Sequence, residues 1–107
     1  MYKTVSPMNN QVLHVHPMCS SAAIETKLQK AHLWHKNNRR RGDEGIKERL
    51  QILTKVNALL GQRLNEYAKL MTIEMGKPLG EAEAEIKKCM TFVDYFIKNT
   101  EAMIGDH

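Results

Sequence analysis

His14 and His16 stand two apart in "QVLHVH", and His32 and His35 stand three apart in "AHLWHK". On a strand the first pair shares a face, and at helical spacing the second does too, so each pair could offer two imidazole nitrogens to a metal ion. Zinc sites take three or four protein ligands, and no third ligand is assured beside either pair, so both read as surface histidines. Cys19 falls in the loop "HPMCSS", with no base or oxyanion donor beside it. Cys89 falls on the apolar row of the last helix and reads as a small core residue rather than a nucleophile. Glu81, Glu83 and Glu85 look like paired carboxylates, but neighbours two apart on a helix diverge by about 200°. No GxGxxG or GxxxxGK[ST] run occurs, so no phosphate-binding turn is indicated. The residues thus assign no catalytic, cofactor-binding or metal position.

What must hold these residues is one small unit. A chain of 107 residues, 42% apolar and 26% charged, is a single domain at most or part of one. No apolar run approaches the roughly 20 residues of a membrane span, and the N-terminus lacks the apolar core of a secretory signal. Two cysteines without CxxC spacing fit a reducing compartment, and the cytoplasm is the expected location. The formal charge is +4. Six basic and three acidic residues fall between Lys36 and Arg49, whereas the chain from Glu74 onward is acidic. The surplus therefore reads as a solvated basic loop, "NNRRRGDEG", and contact with nucleic acid through Arg39, Arg40 and Arg41 ranks below that reading.

The pattern predicts a mainly α chain: a short N-terminal β-hairpin over residues 1–17, then three helices. "YKTV" and "QVLHVH" flank the turn residues Pro7, Asn9 and Asn10. After Pro17, Ser20 or Ser21 can cap a helix over 20–37, with Ile24, Leu28, Ala31 and Trp34 or His35 on one face. The basic loop spans 38–45. A long second helix over 46–75, starting as early as residue 44 and about 45 Å long, carries one apolar row from Ile46 to Met71 and a second through Ile52, Leu59, Leu70 and Ile73. Two such rows call for neighbours on more than one side. Gly61, inside this helix, marks either a close packing contact or simple tolerance.

The corner "EMGKP", Glu74 to Pro78, joins the second helix to a third over 78–104. Gly76 suits the left-handed conformation that ends a helix, and Pro78 suits the first turn of the next, where its missing N–H is not needed. The third helix presents Ile86, Cys89 or Met90, Val93, Phe96 or Ile97, Thr100 and Ile104.

"YAKLMTIEMGKPLGEAEAEIKKC" closely resembles the N-terminal helical region of the aldehyde dehydrogenase superfamily, above all its succinate-semialdehyde dehydrogenase branch. "TVSPMNNQVL" resembles that family's opening hairpin, and "ERLQIL" the start of its second helix. Two departures stand out: the "NNRRRGDEG" loop, where the family usually has a tryptophan, and Gly61 in place of a better helix former. The resemblance implies that the chain corresponds to the outer helical part of an α/β cofactor-binding domain, in an enzyme that oxidises aldehydes with NAD or NADP. In such chemistry a cysteine thiolate attacks the aldehyde, hydride passes to the nicotinamide, and a glutamate-activated water releases the acyl group. The resemblance places none of those groups in this chain. "GQRL" at 61–64 is similar to the context of the family's nucleophile, but Leu64 occupies the cysteine position. The expectation is an N-terminal scaffold segment, inactive alone, whose partner is the rest of such an enzyme. The alternative is a free-standing helical interaction module that self-associates through its surplus apolar row.

Overall fold

The protein is described by a computed structural model covering residues 1–39 and 42–105; Arg40 and Arg41 of the basic loop, and the last two residues, lie outside the described residues. Strands β1 (Tyr2–Val5) and β2 (Val12–His16) pair antiparallel, with Tyr2 opposite His16 and Thr4 opposite His14, and the register shifts between Thr4 and Val5. Ser6 closes the hairpin. Its N–H donates to the Gln11 carbonyl at 2.8 Å, its carbonyl accepts from the Asn10 N–H at 2.9 Å, and its Oγ accepts from the Met8 N–H at 3.3 Å. Asn10 takes φ 58°, a conformation that its short polar side chain tolerates better than most.

Helix α1 (Ser21–Asn37) is capped by Ser20, whose Oγ accepts from the Ala23 N–H at 3.2 Å. It buries none of its residues. The face expected to be amphipathic stands open, with Ile24 49%, Leu28 61% and Trp34 67% exposed.

The single rod expected over 46–75 is instead two helices, α2 (Asp43–Gln62) and α3 (Leu64–Met75), so the described residues form four helices rather than three. Arg63 departs from helical dihedrals, at φ −105° and ψ 17°. Its N–H still donates to Leu59 and its carbonyl still accepts from the Tyr67 N–H, both at 3.0 Å, so the chain kinks without opening into a loop. Both halves pack on one helix, α4 (Leu79–Ile104). A kink lets each half set its own crossing on that partner, which one straight rod cannot do. α2 also begins earlier than 46, at Asp43, and Asp43 and Glu44 fall in its first turn, where the helix dipole favours carboxylates.

The core is small. Ala68, Ala82 and Ile86 are buried, ringed by Leu64, Tyr67 and Met71. The two alanines allow α3 and α4 to approach closely. Ile46 is buried as well, near the start of α2. A radius of gyration of 18.6 Å exceeds the roughly 13 Å of a compact domain of about 100 residues, so these elements do not close around a single core.

Candidate functional site

The corner between α3 and α4 joins two helices and meets the hairpin. Gly76 lies at φ 70° and ψ 13°, and its N–H donates to the Thr72 carbonyl at 2.9 Å, satisfying one of the carbonyls a helix end leaves free. Pro78 is the N-cap of α4, one position before the first turn where it was expected. Between them Lys77 donates to Glu85, one turn and more into α4. That hydrogen bond, helped by the charges of Glu85 and Glu81 and opposed by desolvation, holds the Lys77 ammonium above its ordinary pKa. The hairpin reaches the same place, since a β-carbon on Gly76 would come within 3.2 Å of Pro7 Cγ. Gly76, Lys77 and Pro78 thus bring α3, α4 and the hairpin together, directly after Glu74 and Met75, the last two residues of α3.

The candidate ligands remain apart. His14 and His16 share a face of β2 with ring centroids 6.2 Å apart, and His16 Nε2 lies 3.0 Å from Thr4 Oγ1. His32 and His35 are exposed along α1. Among the described residues no group of three or more His, Cys, Asp or Glu side chains could hold a metal ion. Cys19 is exposed, with Lys27 Nζ 3.5 Å from its sulfur. Cys89 is exposed too, which corrects the core assignment. The inward positions of α4 run Ile86, Met90, Val93, Ile97, and the helical phase of that set turns Cys89 outward.

Apolar surface is abundant. All four members of the second row, Ile52, Leu59, Leu70 and Ile73, are exposed at between 45% and 59%. On α4 an open groove of about 400 Å³ is lined by Lys88, Thr91, Phe92, Tyr95 and Phe96, with the Tyr95 and Phe96 rings edge to face at 5.5 Å. Phe92 and Tyr95 were not singled out from the sequence; the aromatic density of "FVDYF" was the available signal. A second cleft, of about 180 Å³, lies between the end of α1 and the first half of α2, lined among others by Trp34, Arg39 and Arg49. Among the described residues no helix is long and apolar enough to cross a membrane.

The model of the aldehyde dehydrogenase family matches residues 1–107. The chain belongs to that family. The chain is 30% identical over 105 residues to 3-sulfolactaldehyde dehydrogenase of Pseudomonas putida, covering 98% of this chain and 21% of that protein. It is 30% identical over 95 residues to the NADP-dependent succinate-semialdehyde dehydrogenase of Deinococcus radiodurans, covering 89% of this chain and 19% of the relative. The crystal structure of succinic semialdehyde dehydrogenase from Streptococcus pyogenes in complex with NADP+ superposes with a TM-score of 0.84 at 30% identity, over 95% of this chain and 22% of that one. The chain thus spans about a fifth of the length of these dehydrogenases. The hairpin, helices and corner of the described residues are thus shared with that dehydrogenase structure.

Proposed function

We propose that this chain is a scaffold segment of an NAD(P)-dependent aldehyde dehydrogenase of the succinate-semialdehyde type, cytoplasmic, and without activity alone. The observation that carries this reading is the family match over the whole chain against about a fifth of the relatives' length. The partner is the remaining polypeptide of such an enzyme, and the exposed row through Ile52, Leu59, Leu70 and Ile73 is the surface it covers. A row of this length left in water is an association site by default. Incubation with NAD or NADP and succinate semialdehyde is expected to yield no reduced cofactor, and steady turnover would overturn the reading. Light scattering tests the row: concentration-dependent association is expected, while a strictly monomeric chain that melts cooperatively contradicts an uncovered docking face.

A further inference from the structure

The basic loop understates how the positive charge is placed. From Glu25 to Arg41 the sequence holds six basic residues (Lys27, Lys30, Lys36, Arg39, Arg40, Arg41) and one acid, a net of 6 − 1 = +5. The whole chain carries +4, so everything outside this stretch sums to −1. Lys27, Lys30 and Lys36 of that stretch lie on α1, which among the described helices is the one that buries none of its residues.

Helical phase sorts these charges. Lys27, Lys30 and Trp34 are spaced by three and four residues, so two ammonium groups and the indole lie on one face. All three are exposed, Trp34 at 67%. Past the helix end, Arg39 and, across the cleft on α2, Arg49 line the same small cavity as Trp34, as does His35. Glu48 is the acid in that lining. From Lys27 to the end of α1 at Asn37 the helix runs about 15 Å at 1.5 Å per residue, and Arg39 follows two residues on. A flat aromatic surface flanked by cations along a line is the arrangement that holds single strands: bases stack on the ring and phosphates follow the charges.

We propose that Lys27, Lys30, Trp34, Arg39 and Arg49 form a binding site for single-stranded nucleic acid, with one base stacked on Trp34. This does not depend on the dehydrogenase reading, because it uses a face and a charge distribution that the corner and the core do not involve. Free nucleotides share the base-plus-phosphate chemistry, and the strand is favoured because the cations extend along the helix on both sides of the ring.

Trp34 is the chain's one tryptophan, so its emission reports on the site directly. Titration with an oligouridylate of about 16 nucleotides is expected to quench it saturably. Four phosphate contacts give a salt slope of about −0.7 × 4 = −2.8, so affinity should fall on the order of 50-fold between about 50 and 200 mM salt. With labelled strand read by anisotropy, Trp34→Ala should weaken binding roughly 5- to 150-fold while Trp34→Phe retains most of it. Lys27→Ala with Lys30→Ala should flatten the slope by about 1.4, and Lys87→Ala with Lys98→Ala on α4 should leave it unchanged. Alanine is the best helix former and phenylalanine ranks near tryptophan, so circular dichroism should show α1 no less helical in these variants. The proposal is overturned by absence of quenching at low salt, by equal loss in the α4 variants, or by uridine monophosphate binding as tightly as the strand, which would assign a mononucleotide site instead.

Discussion

Pro7, in the hairpin turn, stands directly over Gly76 at the α3–α4 corner: a β-carbon placed on Gly76 would lie 3.2 Å from Pro7 Cγ. Gly76 therefore has two reasons to lack a side chain, its φ of 70° and the approach of the hairpin. Gly76→Val should cost more than about 1 kcal/mol, because a β-branched side chain in the left-handed region collides with its own backbone. Gly76→Asn should cost less than Gly76→Ala, since asparagine visits that region more readily. In combination with Pro7→Ala, the Gly76→Ala penalty should shrink but not vanish, the residue being the backbone part. Thermal melts of the five variants, Pro7→Ala alone included, check this, and an unchanged midpoint for Gly76→Val would show that the corner tolerates a side chain.

Gly61 presents the opposite balance. A β-carbon there would meet Met90 Cε at 3.1 Å, the far end of a flexible side chain. Met90 borders an open groove between α2 and α4, so its methyl has somewhere to go. Alanine in a helix interior is worth up to about 1 kcal/mol over glycine. Gly61→Ala should therefore raise the melting temperature slightly, and Gly61→Leu, whose bulk a rotamer change at Met90 cannot absorb, should lower it. A fall in the alanine variant would mean that Met90 is fixed where it lies.

These two glycines also mark what could be read from sequence. The corner was legible because its signals are local: Gly76 must take positive φ and Pro78 cannot continue a helix. The kink at Arg63 was not, because Gln62, Arg63 and Leu64 are good helix formers and the apolar row from Ile46 to Met71 runs straight through them. Only packing of both halves on α4 breaks the rod, and packing is not a property of the segment. Cys89 was misplaced for a related reason. Adjacent Cys89 and Met90 both fit the period, and the choice was made by the space beside Gly61, which Met90 fills. The open face of α1 was legible as a pattern but not as exposed, since amphipathicity does not say what covers it.

Lys77 gives a pH dependence with a definite sign. Its hydrogen bond to Glu85 raises the pKa in the folded state, so folding binds the Lys77 proton more tightly than the unfolded chain does. The stabilisation is then complete below the unfolded lysine value, about 10.4, and is lost as pH rises through the raised folded value. The difference in stability between the parent chain and Lys77→Gln should be constant from neutral pH to about 10 and shrink above it. Both partners are partly exposed, so added salt should reduce the difference as well. Denaturant melts of the two proteins across this range supply the check; a difference that grows above pH 10 would contradict the assignment.

Helix α1 should unfold on its own. A helix of 17 residues is marginal in water without tertiary contacts, and α1 buries no residue against the rest of the molecule. Its stability is then local: the Ser20 cap at one end, and at the other Asn38, whose N–H and Nδ2 both donate to the Trp34 carbonyl at 2.9 Å. Amides of residues 24–37 should exchange with solvent faster than those of α3 and α4 by orders of magnitude, because their opening does not require the Ala68–Ala82–Ile86 core to part. Ser20→Ala should remove about 1 kcal/mol from α1 alone, lowering helicity at room temperature while the main melting transition keeps its midpoint. If that variant instead moves the main transition, or if α1 exchanges as slowly as α4, then α1 is held by a surface that this arrangement of the chain leaves bare. The self-association expected of the exposed row would be the first cause to examine, by repeating the exchange at falling protein concentration.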